Sequence, residues 1–336
     1  MANTPMSPKC RFLTALLGGR PDRLPVGNVV SNTTVHLMDE TAAEFPDAHL
    51  NPRIMATLAA AGHEVLGYDT IMPVFSVVQE SAALGCEINW GRKDMMPGAI
   101  SHPFAGKDRF EIPDHWMESR AIRTVLDAIT ILRKRLGDRV VIVGKVMGPW
   151  SLSYHMMGIE EFLITSLDDP DRARRCLDAL APVSLEFAKA QVRAGADIIC
   201  LADHATGGMV SPQSYADLLL PIHREIVPAM GAPVVLHCCG NTTDRVHLFA
   251  QTGVACYHFE SAVHMPTAMK AAEGKMRLMG NINNPEILLG SKVERVVEAC
   301  RAAIQGGVHI LSPECAVPLT TPTENLKALV TVAEEG

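Results

Sequence analysis

The 336-residue chain has no run of 18 or more uncharged apolar residues, which argues against a membrane-spanning helix. Its opening stretch, MANTPMSPKCRFLTALLGGRPDR, breaks its short apolar run with arginines too early for a secretion signal, so the cytoplasm is the expected compartment. Basic residues form no stripe interleaved with aromatics, and the formal charge of −7 is spread along the chain, so nucleic acid is not an expected partner. The nine cysteines make an odd count without even spacing, which speaks against a disulfide framework. Nor is there a Ser-rich or charged linker, or a repeat longer than a strand plus a helix. One domain spanning residues 1–336 is the expected organisation.

The chain does have alternation. Short β-branched runs are separated by longer amphipathic stretches, the pattern of parallel strands joined by helices. Eight strands are predicted, at 24–30, 70–75, 140–148, 197–203, 233–239, 255–260, 277–282 and 308–313. Stretches such as DPDRARRCLDALAPVSLEFAKAQVRAG carry apolar residues at helical spacing between an early aspartate and a final glycine. SPQSYADLLL and NNPEILLG open with a polar cap and a proline. Eight strand-helix units predict an α/β fold, a (β/α)8 TIM barrel. The competing open doubly wound sheet usually shows a G-x-G-x-x-G turn after its first strand, and GNVVSNTTVHL lacks one. Residues 76–139 exceed a single crossover, so they are expected to include an insertion with short hairpins that caps the barrel mouth.

The stretch VVLHCCGNTTD raises the question of a metal site. Side chains alternate along a strand, so His237 and Cys239 share one face while Cys238 points to the other. Two donors cannot close a tetrahedral site, and Cys315, just past the eighth predicted strand, supplies a third. Glu260, ending the sixth, is a candidate fourth ligand that substrate would displace. The remaining cysteines (Cys10, Cys86, Cys176, Cys200, Cys238, Cys256 and Cys300) read as small buried apolar residues. A structural zinc knuckle uses tight C-x(2–4)-C pairs, whereas Cys315 lies 315 − 239 = 76 residues from Cys239, a separation suited to ligands gathered from a barrel rim. Two thiolates and an imidazole suit Zn2+. Their summed charge with the ion is zero, which lets the metal lower the pKa of an incoming thiol and still leave its sulfur nucleophilic. Metal-assisted hydrolysis is the other chemistry such a site supports.

With the H-x-C pair and the late cysteine in place, the chain resembles the uroporphyrinogen decarboxylase superfamily, and within it the zinc-dependent methylcobamide:coenzyme M methyltransferases. The resemblance runs from SPKCRFLTALLGGRPDRLPV through ALGCEINWG, KVMGPWSLSYHMMGIEEFL, LADHATGGMVSPQSYADLLLPIHREIV, VVLHCCGNT and MGNINNPEILLG to SPECAVPLTTPTENLKALV. It implies a zinc site at His237, Cys239 and Cys315. It also implies methyl transfer from a methylcobamide, carried on a small corrinoid protein, to the thiol of coenzyme M. The decarboxylase branch carries an arginine-bearing stretch like RQAGRYLPEY after its first strand, where this chain reads NVVSNTTVHLMDETAAEFPD, without arginine. Decarboxylation, or a different thiol or pterin acceptor, is the alternative. Candidate anchors for the sulfonate of coenzyme M are Asn281 and Asn283, at a helix start, and Lys145. Helix capping explains the asparagines equally well. Asp203 and His204 are candidates to orient a ligand or relay the thiol proton. Tyr154, His155, Met156 and Met157 are candidates for the corrin-facing mouth or for core packing.

Overall fold

Seven of the predicted apolar runs form parallel strands in the computed structural model, which describes residues 5–335. These are β1 (Thr70–Ile71), β2 (Val141–Met147), β3 (Ile198–Ala202), β4 (Val234–His237), β5 (Cys256–His258), β6 (Arg277–Ile282) and β7 (Ile310–Pro313), hydrogen-bonded in that order. Every residue of β2 is buried, as befits a strand covered on both faces.

The first predicted strand, 24–30, shrinks to a short seam that closes the ring. On one side the Leu311 amide donates to the Pro25 carbonyl (2.9 Å) and the Gly27 amide to the Leu311 carbonyl (3.1 Å). On the other, the Asp69 amide donates to the Val26 carbonyl (2.7 Å). Pairing stops there for local reasons. Pro25 has no N–H to give. The Val26 amide is taken by the Asp69 carboxylate at 2.8 Å. Thr70 Oγ1 intercepts both the amide and the carbonyl of Asn28. Gly27 is required by closeness, since a Cβ there would stand 2.8 Å from the Thr70 side chain and 2.9 Å from Phe12. The result is a (β/α)8 barrel with a short eighth position.

The N-terminal extension supplies the floor. Ser7 caps the helix Pro8–Leu16 by accepting from the Cys10 amide. From that helix Arg11 donates to Asp69 at 2.8 Å, just ahead of β1, and Lys9 pairs with Asp197 at 2.8 Å, just ahead of β3. The long helix Pro170–Ala194 starts at the predicted aspartate, whose side chain accepts from the Arg172 amide, and stops at Gly195. SPQSYADLLL departs from a simple helix: Ser211 caps it, but Tyr215–Leu219 forms a π-helical turn before Leu220–Ala229.

The inserted segment ends before Arg120–Leu136, the ordinary crossover helix. Before it come the helix Gln79–Ala83, a hairpin of Ile88–Asn89 with Gly98–Ala99, and the 3-10 turn Trp116–Glu118. This segment sits at the C-terminal end of β2, where Glu80 accepts the Met147 amide at 2.8 Å. It also grips the helix Pro149–Met157: the Phe104 amide donates to the Met156 carbonyl (2.7 Å), and Ser81 Oγ lies 2.6 Å from His155 Nδ1. Among the described residues no helix is long and apolar enough to cross a membrane.

Candidate metal centre

A single positional rule builds the site. His204, Cys239, Glu260 and Cys315 each lie two residues past the last residue of their strand, β3, β4, β5 and β7 in turn, and His237 is itself the last residue of β4. The strand alternation that paired His237 with Cys239 therefore persists one step beyond the ladder. His237 Nε2 lies 3.1 Å from Cys239 Sγ, the two sulfurs of Cys239 and Cys315 are 3.4 Å apart, and Cys315 Sγ is 3.4 Å from His237 Nε2. Bonds of about 2.3 Å to sulfur and 2.1 Å to nitrogen in a tetrahedral sphere separate the donors by about 3.6–3.8 Å. The triangle thus needs to open by only a few tenths of an ångström to hold such an ion. Two further donors flank it. His204 groups with His237 and Cys239, its Nε2 3.6 Å from Cys239 Sγ, and Glu260 groups with Cys239 and Cys315.

The electrostatics suit soft ligation. Burial holds the His237 imidazole well below its ordinary pKa, with His258, His204 and Lys145 adding to the effect, so a neutral ring meets the sulfurs. As thiols, Cys239 and Cys315 share a hydrogen bond that holds Cys239 up and brings Cys315 down. Burial raises Glu260, and the nearby Glu314 adds to the rise against the pull of the Gly240 amide.

Behind the donors stands a residue that the sequence reading passed over. His258, fully buried on β5, is in register with His237 and its ring lies 4.7 Å from the His237 ring. Its Nε2 reaches past β6 to Ser312 Oγ (3.1 Å) and the Pro313 carbonyl (2.8 Å) of β7. His258 therefore braces the strand beside His237 against the one that delivers Cys315. The stretch CYHFE held the signal, an H-x-E pair spaced like the H-x-C of the preceding strand.

The other predicted residues are distributed as follows. Asp203 is buried: its Oδ1 accepts the Ser151 amide (2.8 Å) and its Oδ2 accepts from His223 Nε2 (2.9 Å), whose Nδ1 accepts from the Tyr215 hydroxyl (2.9 Å). Gly148 permits this, since a Cβ there would fall 2.2 Å from the carboxylate. Asp203 is thus a strut beneath His204, whose amide donates to Ser151 Oγ. Asn283 caps its helix by accepting the Glu286 amide, and the Asn284 and Ser261 amides are taken by Glu314, so that turn already holds a carboxylate of this chain. Asn281, in register with Ser312, and Lys145 both lie on the inner face of the barrel. Tyr154, Met156 and Met157 are buried in the core, and Cys238 packs on the outer face of β4. Cys10 departs from its expected burial and is exposed, being on the floor helix.

The profile of the uroporphyrinogen decarboxylase (URO-D) family matches residues 7–336. The chain belongs to this family. Its relatives there include the methylcobamide:CoM methyltransferase MtaA of Methanosarcina barkeri, 32% identical over 335 residues and covering 97% of each chain. A methylated-thiol–coenzyme M methyltransferase of Methanosarcina mazei is 31% identical, with 98% of this chain and 90% of that protein covered. A solved methyltransferase from Methanosarcina mazei superposes with a TM-score of 0.94 at 32% identity, over 98% of this chain and 99% of that one. At such identity over nearly full length, this URO-D family member sits on the methyltransferase branch.

Proposed function

We propose that the chain transfers the methyl group of a methylated corrinoid to the thiol of coenzyme M, at a zinc centre held by His237, Cys239 and Cys315. The observation that carries this reading is the triangle of one neutral imidazole and two sulfurs, 3.1–3.4 Å on a side, at the mouth of the barrel. Zinc bound there lowers the pKa of an incoming thiol, and the two cysteine thiolates cancel its charge so that the substrate sulfur stays electron-rich. Glu260 and His204 flank that triangle, one able to complete the resting ligand set and the other to accept the thiol proton. The substrate sulfur attacks the methyl carbon, and the carbon–cobalt bond breaks with both electrons remaining on cobalt. Lys145 and Asn281 face the lumen as candidates to hold the sulfonate end. The corrinoid arrives on a small carrier protein in the cytoplasm. A porphyrinogen substrate fits less well, since residues 28–47 carry no arginine to hold its carboxylates.

The test is metal analysis together with the corrin spectrum. One zinc per chain and coenzyme M-dependent conversion of methylcobalamin to the demethylated form are expected. Cys315→Ala should abolish the conversion while leaving circular dichroism unchanged. Failure of the zinc-loaded protein to demethylate methylcobalamin with any thiol rejects the reading.

A further inference from the structure

The floor of the barrel, opposite the metal centre, carries cations that have no partner among the described residues. Arg277 opens β6 and Ile282 closes it, so at about 3.3 Å per residue the floor lies roughly 16 Å below the mouth. Two cavities, of about 310 and about 350 Å³, meet there around Gly274, Met276 and Arg277. The first reaches the end of the helix Pro8–Leu16, at Leu17 and Gly18, and takes in Lys275. The second runs along the helix Met265–Ala272, past Met269, Lys270 and Glu273, to His309 just ahead of β7.

Arg277 is the centre of this face. It is half-buried, and its guanidinium packs on the turn at Gly18, where φ is 92° and a Cβ would stand 2.5 Å from Nη2. Among the described residues it makes no ion pair within 4.0 Å and no side-chain hydrogen bond, and the same holds for Lys270 and Lys275. The helix ends nearby do not need these donors. The Ala15 carbonyl accepts the Gly18 amide, the Thr14 carbonyl accepts the Gly19 amide, and the Ala272 carbonyl accepts those of Lys275 and Met276. Packing thus fixes the guanidinium while its hydrogens are left over. His309 adds a neutral donor: its Nδ1 accepts the Leu278 amide at 3.1 Å, so the neutral ring carries its hydrogen on Nε2, which has no partner among the described residues. Register sets Met279 beside Ile310, which brings the start of β6 alongside His309. Burial lowers the His309 pKa and the neighbouring Arg277 charge lowers it further.

Three cationic side chains against one carboxylate, Glu273, leave an excess of positive charge around the joined cavities. A phosphate monoester carries a charge of about −1.5 to −2 near neutral pH, which matches that excess. The guanidinium fork fits phosphate oxygens two at a time, and an imidazole N–H adds one more bond. Leu17, which is 66% exposed, and Met269 offer apolar surface to the organic remainder. We propose that Arg277 and His309, with Lys270 and Lys275 beside them, form a second binding site on the barrel floor for the phosphate group of a phosphate monoester. The site is separate from the metal centre and stands whether or not the chain methylates thiols. Phosphate bound there ties the ends of two helices to the starts of β6 and β7, so it stabilises the fold without touching the reacting atoms.

The test is calorimetric titration of the full-length, zinc-loaded chain with glycerol 3-phosphate. Wild type should bind it, with a rise in melting temperature, and Lys145→Met and Cys315→Ala should bind it equally well. Arg277→Gln should weaken binding by about tenfold or more, the loss expected for hydrogen bonds to a charged group. His309→Asn, whose carbonyl still accepts the Leu278 amide, should weaken it several-fold. Lys275→Glu, on the exposed turn, reverses a charge without disturbing the core and serves as the second variant should Arg277→Gln fail to fold; it too should weaken binding. Absence of binding to wild type overturns the site. So does binding that survives Arg277→Gln and Lys275→Glu unchanged, or that is lost in Lys145→Met or Cys315→Ala, which would put the phosphate in the lumen. Sedimentation separates two sources of the same chemistry. Capture by phosphatidic acid vesicles but not by phosphatidylcholine vesicles, lost in Arg277→Gln, upholds the site with a lipid headgroup as its ligand. Glycerol 3-phosphate binding without capture by either vesicle upholds it with a soluble ester.

Discussion

At the scale of single residues, the proposed centre is backed by buried side chains as well as by its candidate ligands. His258 makes its hydrogen bonds to Ser312 and Pro313 while its ring lies against His237. Groups that orient metal ligands commonly account for ten- to a hundredfold in affinity. His258→Leu should therefore weaken zinc binding by about that factor in a chelator competition, and His258→Gln, which keeps a donor for the Pro313 carbonyl, should recover most of the loss. Wild-type affinity in the leucine variant would show that the brace is idle. The clustering of His237, Cys239 and Cys315 was legible in the sequence because alternation fixes which of two adjacent cysteines shares a face with His237. The H-x-E spacing in CYHFE marks the face His258 shares with Glu260 but not its partners, which lie two strands away. Asp203 was visible as a strand-end carboxylate, yet its burial among Ser151, His223 and Tyr215 gives it a supporting task that composition cannot reveal.

Among elements, the joint between the inserted segment and the helix Pro149–Met157 is a place where acidity should be felt. Burial pushes His155 down to about 4, with the charges of His204 and His102 adding to the shift. In the unfolded chain an imidazole titrates near about 6.5. Between those values the unfolded state binds the proton and the folded state refuses it, so stability is full above about pH 6.5 and falls as the pH drops toward 4. One such group contributes a slope of up to about 1.4 kcal/mol per pH unit. His155→Gln, which can still pair with Ser81, should flatten the pH dependence of the unfolding free energy from urea titrations by up to that amount; an unchanged slope would place the acid sensitivity elsewhere. The existence of each strand was readable from its β-branched run, but its length was not. The seam at 24–30 is cut short by Pro25 and by two side chains, Asp69 and Thr70, that come from the next strand. The start of NNPEILLG fits an anion site and a simple cap alike in sequence; Asn283 caps it, and Glu314, thirty residues on, takes the Asn284 amide.

For the whole molecule, the donors come from the ends of strands already fixed by an apolar core running through both layers of the barrel. An ion bound at the proposed site would therefore stabilise the fold by mass action without being required for it. Chelation should lower the melting temperature by several degrees while the far-ultraviolet spectrum at 25 °C stays unchanged, and re-addition of zinc should restore it. Unfolding on chelation at 25 °C would instead make the ion a structural requirement. The barrel as a class was legible from eight alternating units, and the mouth insertion from the surplus residues between its second and third predicted strands.

Ring closure and ligand delivery fall to one short piece of chain, since Leu311 seals the seam and Cys315 follows four residues later. During synthesis from the N-terminus, a nascent arc of β1 to β6 has an unpaired flank and an incomplete claw of donors. Both defects are repaired when the same stretch emerges from the ribosome. A product that stops short of it would keep an open strand edge and lack the Cys315 sulfur, so it would be prone to aggregate and could not complete the proposed ligand set.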